Sequence, residues 1–264
     1  MLKIEQIPVW DDNYVYVIQD EATGATAVVD PAEAAPVLDL LALRGWRLNY
    51  ILNTHHHPDH VGGNRTLQEK TGCIVVGAAK DAARIPGISL QLSEGDLFLL
   101  GESEAQVFEV HGHTCGHIAY WFSASKALFC GDTIFSLGCG KLFEGTPREM
   151  WDSLAKLRKL PGDTKVYCAH EYTLENARFA LVAEPGNSAL RDFVVRAEGL
   201  RAARRPTVPS LLGDECAVNP FLRPESKEIQ TRFSVEGQEL WEVFGETRRR
   251  KDLMDAGGSA YNLV

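Results

Sequence analysis

The segment Thr54-His55-His56-His57-Pro58-Asp59-His60 places four of the chain's eight histidines within seven residues. Imidazoles and a carboxylate gathered this densely suit a cation, which takes imidazole nitrogen and carboxylate oxygen as ligands. The fold must therefore bring further donors to the same point. A helical HExxH spacing is absent. An extended run ending at Pro58 sends His55 and His57 to one side and His56 to the other, because strand side chains alternate. Pro58 cannot continue a ladder, so the chain turns and presents Asp59 and His60 from a loop or a helix start.

Three later segments supply candidate partners: His113 in HGHTCGH, Asp132 in CGDT and His170 in AHEYT. Each follows a predicted strand, where site residues of layered α/β folds gather. The strands expected from alternation and turn signals are 2–7, 14–19, 25–29, 50–53, 73–76, 106–110, 118–122, 127–130 and 166–169. Helices are expected over AEAAPVLDLLALRG, stopping at Gly45, and over VGGNRTLQEKTG, stopping at Gly72. Another should run from Pro147 to Leu160, capped by Thr146. Beyond residue 171 the pattern turns helical, at 174–182, 188–204 and 238–244. Strands mixed with helices and then helices alone predict an α/β domain over 1–171 and a smaller helical domain over 172–264.

The formal charge of −9 argues against nucleic acid or an anionic membrane surface as a partner. No apolar run suggests a membrane helix, and the N-terminus reads as a strand rather than a secretory signal. The six cysteines lack CxxC spacing, so reduced thiols and a cytoplasmic setting are expected. Cys115, Cys130 and Cys139 read as buried free thiols rather than metal ligands. No GxSxG, Cys–His pairing motif or GxGxxG appears, which leaves serine, cysteine and nucleotide chemistry without support. His56, His111 and His117 are expected to support the ligands rather than join them, and Asp30 to orient a neighbouring group.

In this order, THHHPDH, HGHTCGH, FCGDTIF and AHEYT resemble the motif set of the metallo-β-lactamase superfamily. GCGKLFEGT at 138–146, CAHEYTLENARFA at 168–180, NPFLR at 219–223 and RRRKD at 248–252 narrow the resemblance to the glyoxalase II (hydroxyacylglutathione hydrolase) family. It runs essentially from end to end. It implies a four-layer αββα sandwich followed by a helical C-terminal domain. It assigns His55, His57 and His113 to one divalent metal, and Asp59, His60 and His170 to a second, with Asp132 bridging. Zinc is the expected metal, with iron or manganese as alternatives. The implied substrate is S-D-lactoylglutathione, bound by Lys141, Tyr172, Arg248 and Lys251. Phe143 lies on the same substrate side, where some relatives have tyrosine, and His111 stands where proline is common. The resemblance also suggests a monomer.

Two metals sharing a water generate a nucleophile near neutral pH, with Asp132 and Asp59 holding it for attack on the thioester carbonyl. The metal on His55, His57 and His113 would stabilise the oxyanion. The same scaffold also hosts a mononuclear-iron glutathione persulfide dioxygenase, separable by metal count and O₂ consumption. A metal-dependent binding protein without turnover is the reading outside enzymes.

Overall fold

The computed structural model describes residues 1–257, so positions 258–264 of the expected helical domain lie outside the described residues. The chain runs β1 (Leu2–Val9), β2 (Asn13–Asp20), β3 (Thr26–Val29), α1 (Ala35–Arg44), β4 (Leu48–Leu52), α2 (Pro58–Val61), α3 (Asn64–Thr71), β5 (Ile74–Ala78) and β6 (Ile88–Leu92). These strands form one sheet in the order β1-β2-β3-β4-β5-β6. β1 to β3 pair antiparallel, and β3 to β6 pair parallel. Parallel neighbours require a crossover, and α1 and α3 supply two of them.

The second sheet comprises β7 (Leu97–Leu100), β8 (Ser103–Glu109), β9 (Ile118–Phe122), β10 (Ala127–Gly131), β13 (Lys165–Cys168) and β14 (Ser210–Leu211), in the order β14-β13-β10-β9-β8-β7. Between β10 and β13 lie a small hairpin, β11 (Ile134–Phe135) and β12 (Gly138–Cys139), and helix α4 (Pro147–Leu157). The later helices are α5 (Thr173–Ala183), α6 (Ser188–Ala202), α7 (Leu212–Val218), α8 (Lys227–Phe233) and α9 (Leu240–Asp255).

The alternation of β2 shows how the layers arise. Tyr14, Tyr16 and Ile18 enter a core shared with Phe98, Val107, Tyr120 and Phe129 of the opposite sheet. Val15 and Val17 point the other way, into a second core with Val37 and Leu41 of α1 and Leu67 of α3. A strand buried on both faces needs apolar residues at both parities, and NYVYVIQD provides them. The result is the expected four-layer sandwich with added C-terminal helices. Thr146 caps α4 as expected, and the structure adds a reciprocal capping box with Glu149. Gly45 and Gly72 end their helices in the left-handed region.

Two expectations need correcting. The helix expected over 238–244 is α9, and it continues to Asp255, so RRRKD lies inside it rather than beyond it. Apolar periodicity fails there, and the segment is held instead by side-chain pairs one turn apart. Arg250 pairs with Glu246, Arg248 with Asp252 and Lys251 with Asp255, each adding a few tenths of a kcal/mol, roughly 0.2–0.5. Cys115, expected to be buried, is exposed; all six thiols are free. Among the described residues no helix is long and apolar enough to cross a membrane.

Candidate metal centre and the adjoining cavity

The site lies past the C-terminal ends of β4, β10 and β13 and in the loop joining β8 to β9. After β4 the chain bends at Thr54 and His55 and is extended at His57, and Pro58 opens the single turn of α2 that carries Asp59 and His60. The expected extended run is thus broken by a bend, yet His55 and His57 still bring their donors together on one side. His56, on the other, bonds Asp81 at 2.9 Å. The β8–β9 loop brings His113, the end of β10 brings Asp132, and the end of β13 brings His170.

Three sets of donor atoms converge: His55, His57 and His113; His55, His60 and Asp132; and Asp59, His60 and His170. In the first set, Nδ1 of His57 lies 3.0 Å from Nε2 of His55 and 3.1 Å from Nε2 of His113. In the third, Oδ2 of Asp59 lies 3.3 Å from Nε2 of His60 and 3.4 Å from Nε2 of His170. Asp132 faces both: Oδ2 is 3.3 Å from His113, and Oδ1 is 3.4 Å and 3.5 Å from His60 and His170. A tetrahedral ion with ligands at about 2.0–2.1 Å has donor–donor edges of about 3.3–3.4 Å. The spacing and the nitrogen–oxygen donor set therefore fit divalent metal ions.

A second observation points the same way. Nε2 of His60 and Oδ1 of Asp132 are buried and make no hydrogen bond to protein, an arrangement that is costly unless something else satisfies them. The opposite ring nitrogens are engaged. Nδ1 of His60 donates to Asp30, Nδ1 of His113 to the Lys141 carbonyl at 2.7 Å, and Nδ1 of His170 to Asp12 at 3.0 Å. Thr54 donates its hydroxyl to Asp30, so its oxygen accepts from Nδ1 of His55. These bonds set the tautomers that turn Nε2 toward the cage.

Burial pushes the His55 and His113 imidazoles down, and burial together with the charge of His113 holds His57 at about 4. Those rings are neutral near pH 7, the form that binds a cation. Burial also works against charge at His60 and His170, but Asp132 outweighs it and lifts His170 to about 10. At Asp59 and Asp132 burial raises the carboxyl, and the bonds and charges of His60 and His170 override it, holding both well below the usual carboxylate range. In the metal-free protein this half balances its carboxylates with protons.

The other histidines act as supports. His117 accepts a hydrogen bond from the Asp132 amide at 3.1 Å and stacks on the His55 ring. His111 turns away from the cage toward Glu109 and Lys80, so the departure from proline brings no further imidazole to the donors. Two glycines permit the close approach of the segments. A Cβ on Gly140 would lie 2.0 Å from the Asp132 carbonyl oxygen, and one on Gly131 would lie 2.2 Å from Oγ1 of Thr54.

Beside the cage lies a cavity of about 360 Å³ lined by Asp12, Phe135, Cys139, Lys141, Tyr172, Glu175, Asn176, Arg248, Lys251 and Asp255. Four of the five expected substrate contacts line it. Tyr172 stacks parallel on His170, ring centres 4.7 Å apart. Arg248 and Lys251 are 5% and 3% exposed, buried deeply enough for their charges to need partners. Phe143 is not among the lining residues. It stands 61% exposed, its ring edge-on to His57 and His113 at the mouth of the cage. Asp12, which holds His170, joins the two regions. Sequence reasoning did not single it out, because an acidic turn between two strands is commonplace.

A buried cage of histidines and aspartates over a four-layer sandwich defines a metallo-β-lactamase-type protein, and residues 8–170 match the metallo-beta-lactamase superfamily. Residues 171–254 match the hydroxyacylglutathione hydrolase C-terminus. Over 96% of its length the chain is 59% identical to the hydroxyacylglutathione hydrolase of Methylococcus capsulatus, covering 99% of that protein. Over 95% it is 54% identical to that of Rhodospirillum rubrum, covering 98%. The crystal structure of ETHE1 from Myxococcus xanthus superposes with a TM-score of 0.68 at 24% identity, over 99% of this chain and 98% of that one; that likeness bears on the fold alone. The chain belongs to the hydroxyacylglutathione hydrolase family.

Proposed function

We propose that the chain hydrolyses S-D-lactoylglutathione and related 2-hydroxyacyl-glutathione thioesters to the hydroxy acid and glutathione, as in methylglyoxal detoxification. The observation that carries this reading is the junction of a cation cage with a cavity holding Lys141, Arg248 and Lys251. A glutathione thioester has a carbonyl to be attacked and, at a distance, carboxylates to be bound.

His55, His57 and His113 would hold one divalent ion and Asp59, His60 and His170 the other, with the two oxygens of Asp132 shared between them. Zinc suits this set, and iron or manganese would be accepted by the same ligands. When bound, a pair of such ions lowers the pKa of water and polarises a carbonyl. The chain's own residues do the rest. Asp59, tied to Nδ2 of Asn13 at 3.2 Å, orients the nucleophile's proton, and Asp132 fixes the spacing of the two halves. Lys141, Arg248 and Lys251 offer charge-assisted donors to the carboxylates of glutathione. Tyr172 and Phe143 cover the mouth with aromatic surface. The departing thiolate needs no strong acid, since thiols are only moderately weak acids, about pKa 8.5 for a free cysteine.

We further infer a cytoplasmic monomer acting on a small molecule, without a nucleic-acid or membrane partner. The net charge of −9 supports the exclusion. The test is loss of thioester absorbance on S-D-lactoylglutathione, with elemental analysis of the same sample. Hydrolysis with bound metal is expected; no turnover on any glutathione thioester by the metal-loaded protein would refute the proposal.

A further inference from the structure

NPFLR at 219–223 lines neither the cage nor the cavity, yet its first residue is fully buried and its third packs against one of the cavity's cations. Asn219 follows α7. Its Nδ2 donates to the carbonyls of Phe135 at 3.0 Å and Gly138 at 2.9 Å, across the β11–β12 hairpin, and also lies 3.1 Å from Oε2 of Glu215. Oε2 of Glu215 accepts from the amide of Leu137 at 2.9 Å, and Asn176 donates to the carbonyl of Ser136 at 3.1 Å. Leu137 sits at φ +58°, a region unfavourable for a residue with a side chain. Side chains from beyond residue 171 therefore hold an otherwise unfavourable turn through the carbonyls of Phe135, Ser136 and Gly138 and the amide of Leu137.

What leaves that hairpin matters. The carbonyl of Cys139 accepts from Nη1 of Arg248 at 3.2 Å. Lys141, two residues on, lines the cavity. From the other direction, the Phe221 ring lies 5.1 Å from the guanidinium carbon of Arg248, within range of a cation–π contact. A fully buried amide holds the hairpin that ends at this carbonyl, and the ring two residues later flanks the guanidinium of the same arginine. A long, flexible arginine gains fixed direction from two such contacts, which add to the pairing of its Nη2 with Asp252 at 2.8 Å.

We propose that Asn219 and Phe221 are positioning residues for glutathione recognition, Asn219 through the hairpin and Phe221 through its ring, together aiming the remaining donors of Arg248 into the cavity. This rests on the reading of the cavity as the glutathione site. It departs from a purely structural role in one respect: the effect must travel through Arg248.

A double-mutant cycle on the metal-loaded protein tests it. The variants are Asn219→Ala, Phe221→Leu, Arg248→Ala and the two doubles, with KM and kcat for S-D-lactoylglutathione, Kd for glutathione by calorimetry, and metal content measured for each. In the Arg248 background, Phe221→Leu should raise KM and Kd about fivefold and Asn219→Ala about tenfold, with kcat changed less than KM. In the Arg248→Ala background both should change KM and Kd by less than about twofold. Equal factors in the two backgrounds overturn the proposal. Should Asn219→Ala fail to fold, Phe221→Leu alone decides. If Arg248→Ala leaves KM and Kd unchanged while the thioester is still hydrolysed, the cavity reading falls and this inference with it. Absence of thioester hydrolysis in the parent protein, with the glutathione cycle still coupled, would count against the reaction alone.

Discussion

The cage and the cavity beside it carry opposite kinds of incompleteness. In the cage, buried polar atoms such as Nε2 of His60 and Oδ1 of Asp132 have no protein hydrogen-bond partner. In the cavity two of the three cations are already answered from within α9: Arg248 lies 2.8 Å from Asp252, and Lys251 pairs with Asp255. A cation entering the cage replaces protons and fills vacant acceptor positions. A carboxylate entering the cavity must compete with carboxylates that the helix itself provides. Cage binding should therefore be tight and pH-dependent, whereas cavity binding should be graded, because each substrate contact displaces an internal one.

The largest expected effect is on the cage. Asp132→Ala removes the carboxylate that faces both donor sets and should lower metal-dependent hydrolysis by more than about a hundredfold, beyond the roughly 10–100-fold loss typical of a residue that only orients a ligand. Asp12→Ala should fall within that smaller range in metal affinity, through His170, and recover with excess metal; a metal titration followed by activity separates the two.

Proton release distinguishes the halves of the cage. His170 is held near 10 in the metal-free protein, so its proton is bound at pH 7 and must leave when a metal enters. Affinity at that half should rise with pH, by about tenfold per unit for each proton released. His57, held at about 4, is already neutral, so the other half should load with little pH dependence above about pH 5. Calorimetry in buffers of different ionisation enthalpy measures the release; equal proton counts for the two loading steps would break the comparison.

In the cavity, Arg248→Ala should raise KM by about tenfold or more, the worth of a charge-assisted hydrogen bond. Asp255→Asn carries the smallest effect. It frees Lys251 from an internal partner and should lower KM by about twofold, the scale of one i,i+4 pair, at a comparable cost to α9. A rise in KM would show that Asp255 orients Lys251 instead of competing for it.

The same contrast governs what the sequence discloses. The seven cage residues are legible because metal chemistry tolerates few side-chain types and the first four stand within six positions. His56 points away as alternation predicts, although the chain bends at Thr54 and His55, and Asp30 supporting His60 follows from its position at a strand end. Cavity residues such as Lys141 and Arg248 carry no such mark, and family resemblance alone singles them out. The extent of α9 was hidden because TRRRKDLMD has no apolar stripe and depends on ion pairs. Strands β6 and β7 escaped notice because, at the free edges of their sheets, they leave Leu90, Leu97 and Leu99 exposed. Asp12 and Asn219 act through contacts across 158 and 84 residues of separation, which local pattern cannot display.

The most direct test of the central claim, a cage for a pair of cations that drives thioester cleavage, is stepwise return of zinc to chelator-stripped protein with S-D-lactoylglutathione hydrolysis measured at each step. Activity that is negligible without metal and climbs until two equivalents are bound is the predicted result. Full turnover in the stripped protein, or a plateau with a single ion bound, would contradict it.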